Sequence, residues 1–209
     1  MPLLLLIRHG ENDYSKKGRL AGRLPGIHLN ERGKQQAEEL GKALAETPLN
    51  AIYSSPLERA LETAEPIARA RGLKIIQEPG LLESNVGKWQ GQSIRRLALT
   101  KYWRVIQQAP SRAGHPEGET FLQTQTRIIT ALDSICKSHK PHDIIACVFH
   151  ADPIKLAAAH YLGLPLDHFQ RLACDTASVT MLAVGESGAQ LIWLNRRPPF
   201  DLKFPQKKK

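Results

Sequence analysis

The sequence predicts an α/β protein whose sheet is mostly parallel and buried on both faces. Residues 3–7 read Leu-Leu-Leu-Leu-Ile, an unbroken apolar run of strand length. Residues 144–149, Ile-Ile-Ala-Cys-Val-Phe, form a second such run. A strand covered by helices on both sides reads as continuous hydrophobicity rather than as alternation. Between the two runs, apolar stripes at helical spacing alternate with short strand-like segments, the pattern of strand–helix units.

Taken in order, the first run stops at Arg8-His9, and Gly10 allows a sharp backbone turn there. A cation, an imidazole and a glycine thus arrive at the carboxyl end of a buried strand, where open α/β sheets bind ligands. Residues 12–29 follow as a polar loop punctuated by Gly18, Gly22, Pro25 and Gly26; loops this long in compact domains are usually functional. Asn30 reads as the N-cap of a helix with a stripe of Ala37, Leu40, Ala43 and Leu44, ending near Pro48. Residues 51–53 predict a second strand. After it, Ser55 is the expected cap of the next helix, with Pro56 in its first turn and Glu58 completing a capping box. Arg59 lies in that first turn, off the core-facing stripe. It reads either as a surface arginine paired with Glu58 or Glu62, or as a neighbour of Arg8 and His9 if the two strands adjoin.

Residues 73–76 predict a third strand, and the turn-rich stretch 79–91 carries one isolated carboxylate, Glu83. Helices are expected over 94–107 and from Phe121 to about His139. The strand at 143–149 ends in His150-Ala151-Asp152-Pro153, where Asp152 and Pro153 open a helix to about Leu162. Residues 178–184 and 190–194 read as a strand pair around Gly185-Glu186-Ser187-Gly188.

With 209 residues, the chain suits one domain, expected over 1–203, with 204–209 as a basic tail. Lys207, Lys208 and Lys209 supply three of the net +9 charges, and the remaining excess fits the steering of small anions. No aromatic-and-basic repeat indicates nucleic acid; the first apolar run is too short to span a membrane, and with no basic region before it and no small-residue cleavage site after it, it does not read as a signal peptide. A cytoplasmic location is expected. Cys136, Cys147 and Cys174 form no metal-binding or redox pair and read as buried thiols. No carboxylate–histidine cluster has metal spacing.

Four separated segments then converge: Arg8-His9-Gly10-Glu11-Asn12, residues 54–60 (Ser-Ser-Pro-Leu-Glu-Arg-Ala), Leu82-Glu83 with Gly87 and Trp89-Gln90-Gly91, and Phe149-His150-Ala151. In this order they resemble the histidine phosphatase superfamily, the phosphoglycerate mutase-like family. Residues 30–37 and 116–120 resemble its lesser landmarks. The resemblance implies a three-layer αβα sandwich, no metal or other cofactor, and a phosphoric monoester hydrolase of the histidine acid phosphatase type acting on a small phosphorylated metabolite. It implies His9 as the nucleophile, Arg8, Arg59 and His150 as the phosphate pocket, and Glu83 as the proton donor. Asn12, Ser15, Ala21 and Gly22 fall where related enzymes have loop residues touching substrate.

These residue types suit the chemistry. Phosphoryl transfer spreads negative charge over three oxygens, which fixed arginine forks stabilise. A neutral imidazole attacks phosphorus, and a carboxylic acid protonates the leaving oxygen and then activates water. Two departures bear on substrate preference. Phe149 and Ala151 flank His150 where the family usually has serine and glycine, and Asn12 replaces the commoner threonine or serine. The alternatives are a cofactor-dependent phosphoglycerate mutase and a non-catalytic anion-binding module on the same fold. Trp103, Arg104, Arg112 and His115 are candidates for the cover over the pocket.

Overall fold

The computed structural model describes residues 1–185 and 188–200. Its core is a six-stranded sheet in the order β3-β2-β4-β1-β5-β6. The strands are β1 (Leu3–Arg8), β2 (Leu49–Ser54), β3 (Ile75–Gln77), β4 (Ile144–Phe149), β5 (Val179–Gly185) and β6 (Gly188–Arg196). The first four run parallel to one another, while β5 pairs antiparallel with both β1 and β6. The helices are α1 (Asp13–Lys16), α2 (Glu31–Ala43), α3 (Glu58–Arg71), α4 (Ile94–Leu97), α5 (Lys101–Gln108), α6 (Phe121–Lys137) and α7 (Ala151–Tyr161).

Period-two alternation within the apolar runs explains the layers. Leu4 and Leu6 of β1, with Ile145, Cys147 and Phe149 of β4, pack against α6 and α7. Leu5 and Ile7, with Ala146 and Val148, face Leu40 and Leu44 of α2 and Ala60, Ala64 and Ile67 of α3. Both faces are buried, so neither strand needs a polar residue.

The structure corrects several expectations. β1 and β2 do not adjoin, because β4 lies between them. Their carboxyl ends still meet. The His9 amide donates to the Phe149 carbonyl (3.0 Å) and the Ser55 amide to that of Val148 (2.9 Å). Gly10 keeps an ordinary φ, and its smallness serves close approach instead: a Cβ there would stand 2.7 Å from the Gly33 carbonyl oxygen. The helix expected over 94–107 is two, α4 and α5, separated at 98–100, where the Thr100 side chain caps α5. The strand expected at 73–76 begins at Ile75. Cys147 is buried, whereas Cys136 and Cys174 are only partly so. Of the 185–188 turn, Glu186 and Ser187 lie outside the described residues, as does the basic tail at 204–209. Among the described residues, no helix is long and apolar enough to cross a membrane.

Candidate active site

Arg8, His9, Arg59 and Glu83 line a cavity of about 330 Å³ at the carboxyl edge of the sheet. β1 delivers Arg8 and His9, and β4 delivers His150, whose ring centroid is 5.2 Å from that of His9. Arg59 comes from the first turn of α3 and is almost wholly buried, which excludes its reading as a surface arginine. Ser55 does not cap that helix. Leu57 occupies the N-cap, and Ser55 Oγ instead lies 2.9 Å from His150 Nε2.

The local hydrogen bonds assign the protons. His9 Nδ1 is 2.7 Å from the Gly10 carbonyl oxygen, which only accepts. Nδ1 therefore carries the ring proton, and Nε2 keeps its lone pair. Burial, reinforced by Arg59 and then Arg8, drives the His9 pKa well below its ordinary value despite that bond, so the ring is neutral. His150 is driven down as well, by burial and then by Arg59. Ser55 Oγ accepts from the Leu57 amide (3.4 Å), which leaves its own proton to donate to His150 Nε2. His150 Nδ1 then bears the imidazole proton.

Burial, followed by the charge of Asp152, raises Glu83 to about 7 against the opposing pull of Arg59, the Ser84 amide and Arg8. Its Oε2 is 4.0 Å from His150 Nδ1. Among the described residues, the buried atoms Arg8 Nε, Arg59 Nε, Arg59 Nη1 and His150 Nδ1 have no hydrogen-bond partner. Buried donors are normally satisfied, so these unmet ones, with Ser84 Oγ on the same cavity lining, suit a socket for oxygen atoms carrying negative charge. The remaining arms are anchored: Arg8 Nη1 donates to the Cys174 carbonyl (2.7 Å) and Arg59 Nη2 to that of Gly22 (2.8 Å).

The predicted loop residues also reach the cavity. Asn12, Ser15, Ala21 and Gly22 all line it. Asn12 and Ser15 form the capping box of α1: Asn12 Oδ1 accepts from the Ser15 amide (2.9 Å), and the Asn12 amide donates to Ser15 Oγ (3.0 Å). Gly22 sits at φ +53°, and a Cβ there would strike Val86. Of the residues flanking His150, Ala151 lines the cavity, whereas Phe149 turns into the core between the sheet and α6–α7. The Phe149 departure therefore does not touch the pocket. Trp103 and His115 line it; Arg104 and Arg112 do not.

Sequence reasoning missed two groups. The first holds Glu83 in place. Arg127 Nη1 donates to the carbonyls of Gly80 (2.8 Å) and Leu82 (2.9 Å), and Arg23 Nε to that of Glu83 (2.8 Å). Both arginines pair with Glu119, at 2.9 Å and 2.8 Å. The second is a polar wall of Asp152, Lys155 and Gln170. Asp152 lies inside α7, which starts at Ala151, and its side chain turns to Lys155 Nζ at 2.7 Å. The three-residue spacing of Asp152 and Lys155 was the one readable signal for that pair. Among the described residues, no group of three or more His, Cys, Asp or Glu could hold a metal ion.

A strand-edge cluster of unmet donors, with a neutral histidine and a protonatable carboxyl beside it, is chemically suited to a phosphoryl group. The sequence profile described as "Histidine phosphatase superfamily (branch 1)" matches residues 4–197, and the chain belongs to that family. Among its relatives is phosphoserine phosphatase 1 of Hydrogenobacter thermophilus, 32% identical over 198 residues, covering 93% of this chain and 92% of that protein. The 2,3-bisphosphoglycerate-dependent phosphoglycerate mutase of Thermoplasma acidophilum is 29% identical over 192 residues, covering 88% of each. The solved structure of Bacillus stearothermophilus YhfR superposes with a TM-score of 0.85 at 31% identity, covering 92% of this chain and 96% of that one.

Proposed function

We propose that the protein is a metal-independent phosphomonoesterase that hydrolyses small phosphate esters through a phosphohistidine at His9. The observation that carries this reading is the set of buried, unpartnered donor atoms on Arg8, Arg59 and His150, the groups whose charges and ring lie beside His9. The phosphate dianion takes those donors, so Arg8 and Arg59 supply the charge that stabilises the transition state. His9 Nε2 attacks phosphorus as the bond to the alcohol oxygen breaks, and the Glu83 carboxyl gives that oxygen its proton. The Glu83 carboxylate then takes a proton from water. The water oxygen attacks the phosphohistidine, the N–P bond breaks, and inorganic phosphate leaves with Glu83 reprotonated.

Asn12, Ser15, Ala21 and Gly22 contact the bound ester in this reading, since all four border the same cavity. Family membership and the relative named phosphoserine phosphatase support phosphatase activity. The test is direct. During turnover, an acid-labile, base-stable label from the ester's phosphate should appear on the protein and map to His9, and chelator should leave activity unchanged. A label elsewhere, or loss of activity in chelator, would contradict the mechanism.

The mutase relative favours a second reading, in which the phosphoryl group returns to product. Given 3-phosphoglycerate with a trace of the bisphosphate, the protein is expected to release inorganic phosphate faster than it forms 2-phosphoglycerate. The reverse ranking would support the mutase.

A further inference from the structure

The cavity has two unlike halves. Besides the oxyanion socket, the same cavity is lined by Val86, Trp89, Ile94, Trp103, Ile106 and Phe121. Most of these side chains belong to a third hydrophobic cluster, separate from the two that sandwich the sheet, so the wall is packed rather than loose. Trp89 is held edge-on by His115 (5.9 Å between ring centroids) and tilted against Trp103 (5.6 Å), while His115 in turn rests on Phe121 (4.9 Å). Burial lowers the His115 pKa, so that ring joins the wall as a neutral group. A cavity of about 330 Å³ falls in the range that encloses a ring-bearing small molecule rather than a bare phosphate.

Among the described residues, the buried charges on this side are matched, and the one unpaired cation, Arg19, is exposed at the rim. Lys155 Nζ is bonded to Asp152 Oδ1 (2.7 Å) and Gln170 Oε1 (2.5 Å) and lies over the Phe169 ring. Arg19, at the exposed rim, donates from Nε to the Gly91 carbonyl (2.8 Å) and stacks on Tyr14. The Asp152–Lys155 pair is neutral as a unit. A carboxylate on the alcohol would lose hydration against the apolar wall and meet the Asp152 carboxylate, without an uncommitted buried cation to repay it.

The geometry points to an ester whose alcohol is uncharged and presents a flat apolar face to Trp89 and Trp103, in preference to esters of carboxylate-bearing alcohols. This inference rests on the phosphatase reading for turnover but not for binding. The socket holds the phosphate and the leaving oxygen faces Glu83, so the rest of the alcohol projects onto the aromatic wall.

Non-hydrolysable phosphonates with the same anionic head separate the two questions. In calorimetry, 3-(1-naphthyl)propylphosphonate should bind at least about 100-fold more tightly than propylphosphonate, the scale on which a shaped apolar pocket discriminates. It should also bind more tightly than 4-phosphonobutyrate. Trp103→Ala should reduce the naphthyl-to-propyl ratio about tenfold or more. Equal binding of the naphthyl and propyl compounds, tighter binding of the carboxylate compound, or a ratio unmoved by Trp103→Ala would overturn the inference. A separate turnover assay with 2-(1-naphthyl)ethyl phosphate, ethyl phosphate and phosphoserine tests the reaction. No hydrolysis of any of them would fell the phosphatase reading while leaving the binding result to stand or fall on its own.

Discussion

The strand-borne half of the pocket and its loop-borne half are held by different means. Arg8, His9 and His150 sit at the ends of β1 and β4, whose register is set by backbone hydrogen bonds between residues buried on both faces. Glu83 sits on a loop, and its backbone carbonyl is held by side chains from elsewhere in the chain. Arg23 and Arg127 both donate to it, and Glu119 ties the two together. The lesson is a division of labour. In the proposed mechanism the sheet holds the phosphoryl group, and the loops supply the proton and the surface that meets the alcohol.

The division makes graded predictions. Removing the proposed nucleophile should cost most: His9→Ala should lower kcat by more than about 10⁴-fold on every ester, because the proposed mechanism has no other group to attack phosphorus. Next is Arg59→Lys, which keeps the charge but loses the planar fork. Two of its charge-assisted hydrogen bonds should disappear, weakening vanadate or inorganic phosphate by about 10- to 100-fold. Unchanged anion affinity would remove Arg59 from the socket.

Glu119→Gln tests the loop half. Burial works to raise this carboxyl, but the Arg127 hydrogen bonds, the Asn85 amide and Arg23 hold it at about 2. The variant should lose about 2 kcal/mol of stability and about tenfold in turnover of alkyl esters. Phosphate affinity should stay at the wild-type level, since the strand half is untouched. A loss of anion binding equal to the loss of turnover would erase the distinction between the halves.

The smallest effect on activity, and a separate one on stability, concerns pH. Glu83 holds its proton to about 7 in the folded protein against an ordinary 4.5. Between those values the native state binds more protons than the unfolded chain, so this group's contribution to stability falls as pH rises through about 7. Glu83→Gln lacks that loss. Relative to wild type, the variant should gain about 3 kcal/mol between pH 4 and pH 8, measured by denaturant titration. Turnover of alkyl esters by the wild type should decline over the same interval as the acid is deprotonated.

The two halves also differ in how far they can be read from the sequence. Arg8, His9 and His150 each follow a long apolar run, so their place at a strand end is local information. Arg59 was readable only by its position after a strand, and the order of the strands, with β4 inserted between β1 and β2, had no local signature. Ser55 was misassigned because a serine before proline is a good helix cap, whereas tertiary contact gave its hydroxyl to His150. The Glu83 clamp was illegible for a similar reason. Glu119 is 96 residues from Arg23, and no periodicity links charged groups at that distance. Asp152 and Lys155 were legible as a helix pair but not as part of a cavity wall.

Glu83→Gln measured on two leaving groups separates proton delivery by Glu83 from phosphoryl handling by the strand half. An alkyl alkoxide needs a proton to leave, whereas p-nitrophenolate does not. The account predicts a loss of about 10²–10⁴-fold on ethyl phosphate. On p-nitrophenyl phosphate the first step should be nearly spared, with a burst of nitrophenol as phosphoenzyme accumulates for want of a base to activate water. Equal losses on both esters, with no burst, would contradict it.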